Sequence, residues 1–335
     1  MIGYYVHHHG SGHLARAMSI CAHLRSPVTV LTSLDIPGST PFRTTQLPRD
    51  DDAQTFDDPT ANGSLHWAPL HDNGLRGRMR AVTEWVESAR PDVVVVDVSV
   101  EVALQIRLLG VPVVVMAMPG DRVDEPHDLV YRLAEHIVAA WPRESYEPAW
   151  LHRHSAKTTY VGGISRFDGR PRTEPSPGGR PSVLVFHGTG GSSVDADYVH
   201  RCAAAVPQFE WSTLGVAGGP WVEDPWLALC AADVVVSSAG QSSVADIAAA
   251  GRRAVIVPAE RPFAEQEATA GALDRGRLAL ITRAWPAPGQ WAALIGRACS
   301  LDPGAWTRWH TRGAASRAAA AIERAAAARP VGAAT

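Results

Sequence analysis

Ala232–Gln266, ADVVVSSAGQSSVADIAAAGRRAVIVPAERPFAEQ, constrains the fold more than any other stretch of the chain. Asp233–Ser238 is a short β-branched run, the composition of a parallel strand covered on both faces. Ala239-Gly240-Gln241-Ser242-Ser243 is a small-residue turn from which Val244–Ala250 reads as a helix. Gly251 stops that helix, and Arg253–Val257 returns as a second strand closed by Pro258. This is a βαβ unit whose helix begins at the carboxyl edge of the sheet. The first N–H groups of such a helix lack partners and the macrodipole favours an anion, so a phosphate fits the turn. Asp246 adds a carboxylate suited to the two hydroxyls of a ribose, and Glu265-Gln266 adds a carboxylate and an amide at the same edge.

Strand and helix alternate along the whole chain. In the first half, strands are expected near Ile2–Val6, Val28–Thr32, Leu65–Ala68, Asp92–Asp97 and Pro112–Met118, with a last one at Lys157–Gly162. Helices are expected near Leu14–Leu24, Leu75–Ser88, Val100–Leu109 and Asp128–Ala140. Asp35–Asn62 has no period and reads as a long loop beside an acceptor site. Ser165–Pro181 is rich in Pro, Gly and Arg and reads as a linker. It separates a domain at 1–164 from one at 182–329, whose tail ends in an Ala-rich helix. Both halves begin with a strand, a His-Gly turn and a helix: Ile2–Leu24 and Ser182–Val206. The expected architecture is α/β, two tandem Rossmann-like doubly wound parallel sheets facing a cleft, where ligands of such sheets bind.

With 335 residues the chain suffices for two cores. A net charge of −3 gives no electrostatic footprint for nucleic acid. The cysteines, at 21, 202, 230 and 299, form no CxxC pair, which points away from zinc and disulfides and toward a reducing cytoplasm. No signal-peptide pattern and no apolar run of transmembrane length is visible, so any membrane contact is expected to be peripheral, at the inner face. A candidate for such contact is the stripe Leu75, Met79, Val82 and Val86 with Arg76, Arg78 and Arg80 around it; the competing reading is a core-facing stripe with solvated arginines.

Three motifs together resemble the GT-B glycosyltransferases of family 28, the MurG-like UDP-sugar transferases. Gly10-Ser11-Gly12-His13 resembles their first Gly-rich loop, His187-Gly188-Thr189-Gly190-Gly191 their second, and Ser238-Ala239-Gly240 through Asp246 with Glu265-Gln266 their nucleotide-sugar signature. Two departures are visible: Asp246 stands where the family has Glu, and Glu265 where it has a first Gln. The resemblance implies an inverting, metal-independent transferase that needs no cofactor. It would move a hexose or N-acetylhexosamine from a nucleotide diphosphate sugar, most simply a UDP-sugar, to an acceptor hydroxyl. The acceptor stays open among a lipid-linked saccharide, a glycolipid and a small metabolite. Donor groups would be Gly12, Gly188, Thr189, Gly190, Gly191, Ser238, Gly240, Gln241, Ser242, Ser243, Asp246, Glu265 and Gln266. His13 is the expected base, because a neutral imidazole suits the task near pH 7; Asp97 at a strand end is its competitor, or orients His13, binds acceptor or merely caps the helix after Ser99.

Other readings attach to the same residues. Gly10–Ala15 also fits the G-x-G-x-x-A fingerprint, with Asp35 after the second strand, which would mean a nicotinamide or flavin enzyme that leaves the C-terminal signature unused. A nucleotide-sugar 2-epimerase and a non-catalytic nucleotide-binding protein are the alternatives on the same architecture. His7-His8-His9 with His13 offers metal-binding side chains, but neighbours in a strand point to opposite faces, so packing or acceptor contacts are favoured. Asp50-Asp51-Asp52 matches a D-x-D metal motif but follows no hydrophobic strand, and a solvated acidic loop is expected there.

Overall fold

The β-branched runs become buried parallel strands, and each strand delivers the chain to a turn at the same edge of its sheet. The computed structural model describes residues 1–8, 10–36, 40–173, 179–188 and 193–328. In the first half the order is β1 (Ile2–Val6), α1 (Ser11–Cys21), β2 (Val28–Thr32), β3 (Arg43–Gln46), α2 (Asn73–Ala89) and β4 (Val93–Asp97). Then come α3 (Val100–Leu108), β5 (Val113–Ala117), α4 (Glu125–Leu133), β6 (His136–Ala139), α5 (Ala149–His152) and β7 (Thr158–Tyr160). The second half holds β8 (Ser182–Phe186), α6 (Ala196–Ala205), β9 (Glu210–Leu214), α7 (Trp226–Ala231), β10 (Val234–Ser237) and α8 (Gln241–Ala250). It continues with β11 (Arg253–Ile256), α9 (Glu265–Arg275), β12 (Leu280–Ile281), α10 (Trp291–Cys299) and α11 (Ala314–Ala327).

The strands form two sheets, ordered β3-β2-β1-β4-β5-β6-β7 and β12-β11-β10-β8-β9. In both, the chain reverses its direction of winding beside the first strand, the place where doubly wound sheets open a crevice. Register puts Val6 opposite Asp97, so the turns after β1 and β4 emerge side by side.

Several elements differ from the sequence expectation. Leu65–Ala68 is not a strand; it is held as a turn by Glu101, whose Oε1 accepts from the backbone N–H groups of His66 and Trp67 at 2.9 Å each. The missing strand is β3, inside the stretch read as a loop, where Thr44 and Thr45 pair with Val30 and Leu31 at the sheet edge and need no apolar alternation. The expected helix at 128–140 stops at Leu133, and His136–Ala139 pairs with β5 instead. The segment read as a linker packs on the second half over its described part: Arg172 Nε donates to Ala249 O at 2.7 Å and Trp226 Nε1 to Pro171 O at 3.0 Å.

Helix α11, the tail of the second half, crosses back and shares a core with the first sheet. Ala314, Ala318 and Ile322 are buried with Ile2, Tyr4 and Val95, and Arg317 donates to Val161 O. Among the described residues no helix is long and apolar enough to cross a membrane. The α2 stripe faces inward: Val82 and Val86 are core residues, and Leu75 and Met79 line an internal cavity. Its apolar side is therefore not a membrane patch, and Arg78, expected among solvated arginines, is buried.

Candidate active site

The turn after β1 begins α1 at Ser11. Gly10, in the capping position, takes φ +87°, a conformation that glycine adopts without strain. His13 stands in the first turn of this helix and Arg16 one turn later, so both reach toward the end of β4, where Asp97 is fully buried. Asp97 Oδ1 lies 2.8 Å from His13 Nδ1, and Arg16 donates to both carboxylate oxygens, Nε to Oδ2 at 3.0 Å and Nη2 to Oδ1 at 2.5 Å. Burial alone would raise the Asp97 pKa; Arg16, helped by His13, outweighs it and holds the carboxyl well below the usual range. An ionised carboxylate only accepts, so Nδ1 carries a hydrogen, and in a neutral imidazole Nε2 is then the basic nitrogen. Arg16 Nη2 also sits 3.0 Å from Nδ1, but its hydrogen bond is to the carboxylate.

Across the cleft, α8 starts at Gln241, three residues earlier than expected, which puts its first N–H groups at Gln241, Ser242 and Ser243. Gln241 Oε1 accepts from Arg16 Nη1 at 2.9 Å, and Ser242 Oγ donates to Gly12 O at 3.2 Å. Gly12 thus serves as a contact between the halves, where an added Cβ would lie 3.0 Å from Ser242 Oγ. Gly188 faces Ser243, while Thr189, Gly190 and Gly191 lie outside the described residues.

Gln266 is mainly a brace: its Oε1 accepts from Ala239 N at 3.0 Å and Ala259 N at 2.9 Å, tying the ends of β10 and β11 together. Asp246 lies in the second turn of α8, not at its start, and lines the cleft. Ser165 Oγ donates to its Oδ1 at 2.7 Å and Arg166 Nε approaches Oδ2 at 3.3 Å. Burial raises its pKa to about 6, against the opposing pull of Arg166 and Ser165. Glu265 opens α9, with its carboxylate 3.7 Å from Arg122 of the first half.

Two cavities converge on these groups. One, of about 1000 Å³, lies between the halves and is lined by Gly12, Gly188, Ser238, Gly240 and the start of α8. The other, of about 550 Å³, lies in the first half under the 65–68 turn. His13 lines both, as do Met118, Arg261, Pro262 and Glu265.

The expected solvated loop at Asp50–Asp52 is a correction. Asp50 is buried, 3.0 Å from Arg78 Nη1 and 3.6 Å from His8 Nε2, and it lines the smaller cavity. Only Asp52 is exposed as expected. Among the described residues, the His7 and His8 rings lie 4.7 Å apart, His8 joins Asp50 and Asp51, and His13 instead joins Asp97; His9 lies outside the described residues. Functional groups missed from sequence are Arg16, Arg78 and the set His66, Asp124 and His127. The i, i+3 spacing of His13 and Arg16 was the available signal for the first; nothing local marks the others.

Residues 215–283 match the glycosyltransferase family 28 C-terminal domain. Within that segment the second half is similar to the family-28 C-terminal domain. Over 256 residues it is 28% identical to the UDP-N-acetylglucosamine–N-acetylmuramyl-(pentapeptide) pyrophosphoryl-undecaprenol N-acetylglucosamine transferase of Sorangium cellulosum, an alignment covering 64% of this chain and 61% of the relative. The chain thus spans about three fifths of that curated relative's length. Among solved structures, the glycotransferase of kitacinnamycin superposes with a TM-score of 0.69 at 16% identity, over 97% of this chain and 98% of that one. Acinetobacter baumannii MurG superposes with a TM-score of 0.62 at 15% identity, over 96% and 99%. At such identities the two superpositions establish the GT-B architecture, in which the family-28 segment supplies β10, α8 and β11, the unit read first from the sequence.

Proposed function

We propose that this protein transfers a sugar from a nucleoside diphosphate sugar, UDP-linked, to an acceptor hydroxyl, with inversion at the anomeric carbon. The observation that carries the reading is that His13, with Asp97 buried behind it, lines both cavities at once. The acceptor enters the first-half cavity and the donor occupies the cleft against α8. His13 Nε2 takes the acceptor proton while the acceptor oxygen attacks the anomeric carbon from the side opposite the diphosphate. Asp97 orients the imidazole and stabilises the imidazolium that forms. The bond to the diphosphate breaks with its electrons on the leaving group, and the first N–H groups of α8 face that developing charge. The curated relative's name supports a UDP donor, and Asp246 in the cleft supports ribose recognition.

In this reading the helix N-terminus does the work that a cation does elsewhere, so no metal is required. Among the described residues, the two His and carboxylate groups spaced for a cation belong to the first half, and neither includes a residue of α8. Incubation with UDP-sugars and an acceptor panel, with release of UDP as readout, tests the function. Turnover should survive EDTA, and His13→Ala should lower kcat by roughly 10²–10⁴ with UDP affinity near normal. Loss of turnover on chelation that Mg²⁺ or Mn²⁺ restores would contradict the metal-free step. Full turnover by His13→Ala would contradict the base assignment.

A further inference from the structure

The first-half cavity has a chemistry of its own. Its volume of about 550 Å³ suits a drug-sized molecule taken in almost whole. Leu65, Leu75, Met79, Val100, Met118 and Val130 make its walls apolar. Aromatic rings close one end: His66 and His127 lie 4.5 Å apart by centroid, and Phe263 meets His127 edge-on at 4.8 Å. Phe263 belongs to the donor half, so the second domain supplies part of the roof over the first domain's cavity. The Phe263 carbonyl accepts from Asp121 N at 2.7 Å, which seats that roof.

Arg78, Glu101 and Arg122, which line the cavity, already have partners. Arg78 pairs with Asp50 at 3.0 Å and also donates to Tyr5 Oη and Pro48 O. Glu101 spends Oε1 on two backbone N–H groups and Oε2 on Ser99 Oγ. Arg122 donates to Pro119 O, lies 3.7 Å from Glu265 and covers the Phe263 ring at 4.5 Å. A pyrophosphate entering here would have to break these pairs and give up its own hydration, which costs more than new contacts return. An uncharged ring system would instead replace water against apolar and aromatic walls.

We infer that the acceptor is a compact, uncharged, ring-bearing alcohol or phenol held inside this cavity, not a lipid pyrophosphate. The inference rests on the transfer reading above. In the step, the acceptor oxygen forms its bond to the anomeric carbon, the bond to the diphosphate breaks, and the acceptor proton passes to His13 and then to solvent.

Two measurements on the full chain test it. Quenching of tryptophan fluorescence by 2-naphthol, without donor, reads binding near Trp67. Transfer from a UDP-sugar is then compared between a panel of uncharged phenols and polycyclic alcohols and a short-chain prenyl pyrophosphate saccharide. Saturable quenching is expected, with transfer to panel members and none to the pyrophosphate. Met79→Trp, which fills the cavity, should weaken naphthol binding about ten-fold or more while UDP affinity is unchanged. Absence of saturable binding by naphthol and every panel member overturns the inference, as does a pyrophosphate acceptor with kcat/KM about ten-fold above the panel. Failure to bind UDP or any UDP-sugar is a different result: it overturns the transfer reading itself, and the acceptor assignment with it.

Discussion

Arg16 keeps the Asp97 charge in place, and with it the tautomer of His13. Three of its bonds run to Asp97 and Gln241 inside the protein, and a change to Met leaves a carboxylate buried beside an imidazole with no cation. Removing one partner of a buried ion pair costs about 3–5 kcal/mol, so Arg16→Met should lose that much stability in urea unfolding, well beyond an ordinary surface change. Asp246 is the opposite case, a carboxyl whose pKa burial raises to about 6. The sign follows from proton binding: between about pH 4 and 6 the folded state holds more protons than the unfolded one, so stability falls as pH rises through that window. The full change is on the order of 3 kcal/mol, and Asp246→Asn should flatten it. Urea midpoints measured from pH 4 to 7 check the slope. The same variant should weaken UDP binding roughly ten-fold if the carboxylate holds the ribose.

At the level of elements, α1 and α8 are short helices whose first turns carry the candidate chemistry, while α2 and α11 supply the support. Helix α2 starts where Asp72 accepts from Leu75 N at 2.6 Å, and its inward stripe becomes part wall and part core. Helix α11 is nearly all alanine on its buried side, which lets it lie close over β4 and β6 beside α1, with Ile322 as its one large apolar anchor. Ile322→Ala removes a fully buried side chain from the first domain's core and should cost about 2–5 kcal/mol. The check is whether the first domain loses that stability, read by the fluorescence of Trp85 or Trp141, although the substitution lies near the chain's C-terminal end. A loss confined to the second domain would show that α11 does not hold the first sheet.

Across the whole molecule, the contacts that join the halves at the cleft include Gly12 with Ser242, Arg16 with Gln241, and Gly120 with the 263–265 turn. Gly120 has φ +105°, and a Cβ there would clash with Phe263 O, so the second domain's turn would have to withdraw. Gly120→Ala should therefore cost about 1–3 kcal/mol from backbone strain and lower kcat with it, since the cavity roof and Glu265 move away from His13. Tm and UDP-sugar turnover measured together check this. Unchanged turnover at reduced Tm would mean that catalysis does not need this contact.

The residues closest in sequence were the most legible. The βαβ unit from β10 to β11 was readable because strand, turn and helix are local patterns of period and small residues, and the anion-binding helix end follows from backbone chemistry alone. His13 and Asp97 were readable as candidates because each sits at a strand's carboxyl edge, where parallel sheets present ligands. That they form one pair was decided only by sheet register, which sets Val6 beside Asp97 although 91 positions separate them. β3 escaped notice because an edge strand of threonines needs no hydrophobic alternation, and the helix at 128–140 was overextended because β6 is too short to show a period of its own. Asp50 and Arg78 read as solvated from composition, since charge in a sequence implies solvent unless a partner is known. Their partnership lies 28 positions apart and exists only once α2 packs over the sheet. The same holds for α11 on the first domain and for Phe263 over the first-half cavity. Local propensity determines which segments become strands and helices; packing and charge pairing between distant segments determine which side chains share a site.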